Sequence, residues 1–138
     1  MSNGRATTAY VTFWGTRGSI PTPGRSTEKY GGNTPCVASE CGDTYLVIDA
    51  GTGIRNLGLE LAAEMVEKGS GMNLHLLLSH THWDHIQGLP FFYPASMGGT
   101  TLIIHGRQKQ VEFLESTLHG QMSNDYFPLQ LSPPRDRR

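Results

Sequence analysis

Short apolar runs alternate with glycine- and proline-rich stretches along the chain, a pattern that predicts strands joined by shaped loops. β-forming residues favour a strand over 9–16, and turn formers favour a loop over 18–35. Apolar runs at 35–40 and 44–50 predict a hairpin. The chain therefore opens with three strands and one long loop, whose length suggests a role beyond connection.

Helical and buried-strand patterns follow. Apolar residues recur on one helical face over 54–68, and Gly69 supplies a stop. The run over 73–79 predicts a central buried strand, because it is apolar almost throughout. A strand over 100–105 and a helix over 107–118 come next. This order predicts an α+β fold with a layered sandwich architecture.

Length and charge limit the number of domains and the kinds of partner that the sequence allows. The 138 residues suit one domain, and 11 Lys and Arg against 12 Asp and Glu give no broad attraction for nucleic acid or membranes. A long nucleic acid is therefore disfavoured as a partner, although it is left open. No apolar run reaches the roughly 20 residues that span a bilayer, and the start lacks a secretory apolar stretch. We predict a cytoplasmic protein with no membrane partner.

Isolated cysteines and histidines are interpreted conservatively. Cys36 and Cys41 are too few for a disulfide framework, and they would suggest a metal pair only with two further ligands nearby. We interpret them as reduced structural thiols. A lone histidine is more often structural or superficial than catalytic, and this is our interpretation of His75, His105 and His119.

The segment SHTHWDHIQGLPFF over 79–92 carries the chemical signal. His80 and His82 are two apart, so on an extended backbone they point to one side and can bind one ion. Asp84 and His85 can face a common cavity at a turn that enters a helix, beside a second ion. Four such side chains would repel if protonated and would leave polar atoms unpaired if neutral and empty. A metal site is therefore predicted.

Imidazole and carboxylate ligands suit zinc, manganese and iron. Two such ions roughly 3.5 to 4 Å apart can share a hydroxide and clamp a reacting oxygen. In this interpretation Asp84 binds the second ion and holds the attacking water, as a base or an orienter. Asp49 ends a buried strand and needs a partner, and a metal-site histidine would serve. A purely structural zinc module is the weakest alternative, because Asp84 beside His85 suits an open site.

The run His80-Thr81-His82-Trp83-Asp84-His85 resembles the HxHxDH signature of the metallo-β-lactamase superfamily. Its continuation to Pro90 resembles the phosphodiesterase-like and tRNA 3′-processing-nuclease-like branch, and the likeness covers about residues 10–130. The resemblance implies that His80 and His82 bind one metal, that Asp84 and His85 bind another, and that Asp49 steadies the site. It also implies two Zn²⁺ per complete site, with Mn²⁺ or Fe²⁺ as alternatives. Upstream blocks that match are 15–21, 30–34 and 48–53.

The family fold is an αββα sandwich of two similar halves with the metals between them. We expect this chain to supply about the first half, one mixed sheet with helices on its outer face, because no block after the signature resembles the three remaining ligands. One partial domain is thus expected over 1–138, family-like over 9–130, with a disordered or non-native tail over 131–138. The apolar strand 74–78 is expected to need cover from a second copy or a missing C-terminal half.

The resulting hypothesis is a hydrolase that uses a metal-activated water on a small-molecule or nucleotide phosphodiester. Two alternatives stay open: a catalytically incomplete metal-binding fragment, and a lactone, thioester or β-lactam as the substrate. Arg17 either pairs with the phosphodiester or is an ordinary exposed arginine, with equal weight. Thr52 and Asn33 either shape the site or make only local turn bonds.

Overall fold

The structure is a computed structural model, and it describes residues 10–41, 44–107 and 111–129. The predicted tail over 131–138 lies outside these residues. The strands are β1 (Tyr10–Gly15), β2 (Cys36–Cys41), β3 (Thr44–Ile48), β4 (Asn73–Leu77) and β5 (Thr101–His105). The helices are α1 (Ile54–Lys68), α2 (Trp83–Ile86) and α3 (Val111–Gln121), with short 3-10 turns at Arg25–Thr27, Leu89–Phe91 and Tyr93–Ser96.

The five strands form one mixed sheet in the order β1-β2-β3-β4-β5. β1, β2 and β3 pair antiparallel, which confirms the predicted hairpin, whereas β3, β4 and β5 run parallel. Parallel neighbours need a crossover, and α1 supplies it between β3 and β4. The carboxyl ends of these three strands therefore meet at one edge of the sheet. The predicted α+β class is confirmed.

Helix α1 covers one face of the sheet and builds the core there. Gly69 ends the helix in the left-handed conformation, at φ 62°, where a glycine carries no Cβ penalty. Val47, Leu74 and Leu76 of the sheet are at most 1 % exposed. The predicted apolar positions of the helix are buried with them, namely Ile54, Leu57, Leu61 and Met65.

The opposite face of the sheet is open, but the prediction for strand 74–78 was wrong about which side chains line it. Leu74 and Leu76 are buried against the helical side, and Leu78 is only 7 % exposed. Because alternate residues of a strand point to opposite faces, the open face carries other apolar side chains. Phe13 is 67 % exposed and Ile48 is 41 % exposed. That a second copy or a further segment covers this face stays a prediction.

Several predicted boundaries moved by one to three residues; β3 ends at Ile48 instead of 50, and the last helix ends at Gln121 instead of 118. Strand β4 stops at Leu77, two residues early, because the N–H of Ser79 bonds to the Asp49 carboxylate instead of a neighbouring strand. Arg107, where the last helix was predicted to begin, is not helical; the described helix includes Val111–Gln121, and 108–110 lie outside the described residues. Among the helices of the described ranges, none has the length and apolar character that crossing a bilayer requires.

Candidate metal centre

The histidine cluster lies at the carboxyl edge of the parallel strands. After β4 the chain stays extended through His82, whose ψ is 151°, and then turns into α2. This path brings three imidazole rings together: the His80 ring centroid lies 4.5 Å from that of His82 and 4.1 Å from that of His85. The histidine side chains thus do not splay toward separate surfaces.

Asp84 lies beside this group of rings, with its Oδ2 atom 3.5 Å from His85 Nε2. The donors are not gathered around a single point, however. In the parts of the chain that the structure describes, no three His, Cys, Asp or Glu side chains are arranged to hold one ion. The geometry therefore offers adjacent pairs of donors, and the metal-binding roles of His80, His82, Asp84 and His85 stay predictions.

Asp49 is the buried acid that forms hydrogen bonds with the histidine segment. Its carboxylate is nearly buried and accepts hydrogen bonds from Ser79 N at 2.8 Å and from Ser79 Oγ at 2.9 Å. His85 Nδ1 lies 2.9 Å from Asp49 Oδ2. The buried acid therefore has a histidine partner, as its position at a strand end requires. Its part in steadying a bound metal is still a prediction.

A backbone amide from the long loop orients Asp84. Ser19 donates its N–H to Asp84 Oδ2 at 2.9 Å. This hydrogen bond, with help from the nearby His85, holds the pKa of Asp84 below its ordinary value, so the carboxylate form is favoured. Ser19 adopts φ 74° and Asp49 φ 62°, and they are the two non-glycine residues with positive φ in the described ranges. Both strained positions contact the cluster, where such strain tends to concentrate.

The buried Thr34 and the half-buried Thr52 tie the long loop to the turn after β3. Thr52 donates its N–H to Thr34 Oγ1 at 2.7 Å, and Thr34 donates its N–H to Thr52 Oγ1 at 2.9 Å. Asn33 Oδ1 accepts from Thr52 Oγ1 at 3.1 Å, and Gln87 Nε2 donates to Thr34 Oγ1 at 3.3 Å. Thr52 and Asn33 therefore join separate segments instead of making only local turn bonds.

Close backbone packing holds the two turns of the site together. Ala50 donates its N–H to the His85 carbonyl at 2.7 Å, and Gly88 donates to the Ala50 carbonyl at 2.8 Å. A Cβ on Gly51 would lie 2.4 Å from the Asp84 carbonyl oxygen, and one on Gly88 would lie 2.1 Å from the Gly51 carbonyl oxygen. Such distances are too short for any side chain, so both positions require glycine.

Arg17 and Arg107 differ in their relation to the cluster. Arg17 is exposed, and its N–H bonds to the Asn33 carbonyl at 2.9 Å, which leaves its proposed substrate role untested. Arg107, which the sequence analysis missed, lines a cleft of about 110 Å³ beside the cluster. The only signal in the sequence was its place just after the carboxyl end of β5. The other cleft residues are Leu78, Ser79, His80, Thr81, Gly106, Phe113 and Leu114.

The buried thiol of Cys36, which lies near Asp49, is not a suitable metal ligand. Cys36 is fully buried and unpaired by disulfide, and burial together with the nearby Asp49 charge raises its pKa to about 12. Metal binding needs the thiolate, so a neutral buried thiol favours a structural role. The side chain of Cys41 lies outside what the structure describes.

Comparisons with known proteins agree with this geometry. The chain is 36% identical over 84 residues to a ribonuclease Z of Haloarcula marismortui, a match of 60% of this chain and 22% of the relative. It is 28% identical over 123 residues to a ribonuclease Z of Staphylococcus carnosus, covering 86% of this chain and 37% of the relative. The chain thus spans well under half of each relative's length. No protein-family model matches it.

Among solved structures, the chain is similar to the metallo-β-lactamase fold protein YhfI from Bacillus subtilis, with a TM-score of 0.57 and 24% sequence identity. The match covers 79% of this chain and 41% of that protein. At this identity the likeness establishes the fold alone, and it agrees with one mixed sheet covered by helices on one face. The sequence relatives and the shared fold confirm the predicted resemblance to the metallo-β-lactamase superfamily, and this chain carries part of that fold.

Proposed function

We propose that this chain is part of a metal-dependent hydrolase that uses a metal-activated water on a phosphodiester. The observation that carries the proposal is the meeting of three imidazole rings, His80, His82 and His85, beside the ionised Asp84. The two sequence relatives support it, because both are named ribonuclease Z. The activity of the whole protein is the proposal here, since the chain spans only part of those relatives.

The donor set fits a divalent ion. Neutral imidazole and carboxylate are standard zinc ligands. Within the described residues, no hydrogen bond is found at His80 Nε2 or at either ring nitrogen of His82, so each neutral ring keeps one nitrogen lone pair for a metal. Following the family resemblance, we assign His80 and His82 to one ion, and Asp84 and His85 to a second. Zinc is the proposed metal, with Mn²⁺ and Fe²⁺ as alternatives.

When bound, such an ion supplies Lewis acidity and lowers the pKa of a coordinated water. The protein's own residues then position the reaction. Asp84, kept in the carboxylate form by the Ser19 amide, accepts a hydrogen bond from the attacking water and orients it. Asp49 holds the His85 ring through Nδ1, so that Nε2 lies on the side of Asp84, 3.5 Å from its Oδ2.

A phosphodiester is the favoured substrate because a cationic side chain lines the cleft beside the cluster. Arg107 lines the cleft next to His80, and a guanidinium there can bind two phosphate oxygens at once. Arg17 is the second proposed contact, from the exposed loop that reaches Asp84 through Ser19. Lactones, thioesters and β-lactams remain alternative substrates. A small-molecule or nucleotide ester fits the near-neutral charge better than a long nucleic acid.

A second candidate is a catalytically incomplete piece that binds metal weakly. The observation that favours it is the lack of any three-ligand group among the described side chains. A site with two protein ligands per ion binds less tightly than one with three or four. Under this alternative the chain works only with a further segment or a second copy.

Metal analysis combined with turnover separates the two candidates. The full chain is loaded with Zn²⁺ and assayed on bis(p-nitrophenyl) phosphate and on p-nitrophenyl acetate. Two ions per chain, with phosphodiester turnover that His82→Ala abolishes, support the enzyme. Less than one ion and no turnover support the incomplete piece. His119→Ala is the matched control, because His119 lies on exposed α3 beside Glu115 and should leave both readouts unchanged.

A further inference from the structure

We infer that the Ser79 hydroxyl relays the Asp49 carboxylate to His80, so that one buried acid sets the tautomer of two histidines. Asp49 acts on His85 directly and on His80 through Ser79. Ser79 is thus a positioning residue, and the inference concerns where protons reside in the cluster. Its consequence for metal affinity rests on the proposed function, whereas the proton positions do not.

The relay is built from short contacts around one oxygen atom. Ser79 Oγ lies 2.9 Å from both carboxylate oxygens of Asp49 and 3.0 Å from His80 Nδ1. The N–H of Ser79 also donates to Asp49 Oδ1 at 2.8 Å, which fixes the carboxylate against the start of the histidine segment. The hydroxyl therefore sits between the acid and the His80 ring.

Counting protons decides the direction of these bonds. A serine hydroxyl has one proton to donate and two lone pairs, whereas a carboxylate only accepts. If the proton pointed at His80, the serine oxygen would face two carboxylate oxygens with no hydrogen between them. The proton must therefore point at Asp49, and His80 Nδ1 must carry its own hydrogen and donate it to Ser79 Oγ.

The same count applies to His85. Its Nδ1 atom lies 2.9 Å from Asp49 Oδ2 and 3.4 Å from Ser79 Oγ, so the carboxylate is the nearer acceptor and also the charged one. His85 is therefore protonated on Nδ1 as well. His85 Nε2 lies 3.5 Å from Asp84 Oδ2, a longer contact than the 2.9 Å one at Nδ1, so a neutral ring carries its single proton on Nδ1. Both rings then present an unprotonated Nε2, the form in which imidazole binds a metal.

Without the relay, His80 would lose the acceptor that selects its tautomer. Partners of this kind typically change metal affinity by about 10-fold to 100-fold when they are removed. We expect the lower end for Ser79, because the His85 bond to Asp49 would remain in place.

Nuclear magnetic resonance of the metal-free full chain tests the inference. Long-range ¹H–¹⁵N correlation, recorded at about pH 8 where imidazole is ordinarily neutral, identifies the protonated ring nitrogen of each histidine. We expect Nδ1–H for His80 and His85 in the natural chain. Ser79→Ala should move His80 toward the Nε2–H form that an unconstrained imidazole prefers, with His85 unchanged. Ser79→Thr keeps the hydroxyl and should restore the natural pattern.

Controls separate the relay from a loss of structure. Ser96→Ala removes an exposed hydroxyl that bonds to the Tyr93 carbonyl, and it should leave every histidine signal unchanged. The inference is overturned if His80 carries its proton on Nε2 in the natural chain, or if it keeps Nδ1–H in Ser79→Ala. Zinc affinity by chelator competition is the second arm: about 10-fold loss in Ser79→Ala and recovery in Ser79→Thr. If the natural chain binds no zinc, the proposed function fails while the tautomers still decide the relay.

Discussion

The Asp49 carboxylate and His85 Nδ1 lie 2.9 Å apart, although 36 positions separate the two residues in the chain. Asp49 follows β3 and His85 lies in α2 after β4, so their contact depends on the parallel pairing of the two strands. The orientation of the histidine cluster is therefore a property of the folded sheet and not of the local segment.

Asp49→Asn tests this dependence. An amide of equal size replaces one acceptor oxygen with an NH₂ group, which cannot accept the hydrogens of both Ser79 and His85. We expect zinc affinity to fall about 10-fold to 100-fold. We also expect the free energy of unfolding of the metal-free chain to fall by about 1 to 3 kcal/mol, because a buried network is left unsatisfied. Chelator competition and urea unfolding measure the two effects.

The control for that variant is Asp125→Asn, since Asp125 is exposed near the end of the described chain. It should change neither zinc affinity nor stability. An Asp49→Asn chain that retains the natural affinity would show that the acid does not steady the site.

Two glycine-to-alanine substitutions should change the free energy of unfolding in opposite directions. Gly51→Ala places a Cβ within 2.4 Å of the Asp84 carbonyl oxygen, so the turn must shift, at a cost of about 1 to 3 kcal/mol. Gly120→Ala lies in α3 with open space around its Cβ, and it should add about 0.5 to 1 kcal/mol through helix propensity. Urea unfolding of both variants checks the pair, and equal effects would contradict the close packing of the turn.

The Asp84 pKa predicts how this residue responds to acid. The pKa of Asp84 in the folded, metal-free chain lies below the ordinary value of 3.8. Its ionised carboxylate therefore contributes its full stabilisation at pH values above 3.8. The contribution disappears as pH falls through the lower folded-state pKa. A ¹³C carboxyl titration should therefore give an Asp84 midpoint below 3.8.

Ser19 provides the variants for this titration. Ser19→Gly keeps the N–H and relieves the strain at φ 74°, so the low midpoint should persist. Ser19→Pro removes the donor, and because proline fixes φ at about −65° it also takes residue 19 out of the φ 74° conformation. The amide contact is then lost, and the Asp84 midpoint should rise toward its ordinary value. A midpoint that is the same in both variants would show that the Ser19 amide has no influence on the acid.

Cys36 should resist thiol reagents in the folded protein. Raising its pKa from 9.0 to about 12 reduces the thiolate fraction at neutral pH about a thousand-fold, and burial blocks access as well. Maleimide labelling of a Cys41→Ser chain should be slow until denaturant is added. Ser96→Cys in the same background introduces an exposed thiol that should react at once, and rapid labelling of Cys36 would disprove its burial.

The sequence was sufficient for features whose signal is local. The meeting of the three histidine rings follows from their closeness in the chain, and α1 is predicted because its apolar face repeats regularly. The metal site itself stays a prediction. The need of Asp49 for a histidine partner also followed, since a buried acid at a strand end must be paired. The structure supplies that partner as His85.

Other features had no local signal. The Ser19 contact to Asp84 is made by a backbone amide. Every residue except proline has such an amide, so the residue type at position 19 could not predict the contact. The run 74–78 is apolar at nearly every position and lacks the alternation that assigns side chains to faces. Only the packing of α1 decides that Leu76 is buried while Leu77 is partly exposed.

The remote acid also determines when the centre can form. A peptide spanning residues 73–92 would contain every proposed donor, yet it would lack Asp49 and the amide of Ser19. Its imidazoles would be free to exchange tautomers and rotamers, and ordering them would reduce the affinity for any cation. Binding competence should therefore arise late in folding, after distant strands have paired, since contacts of long sequence separation form slowly.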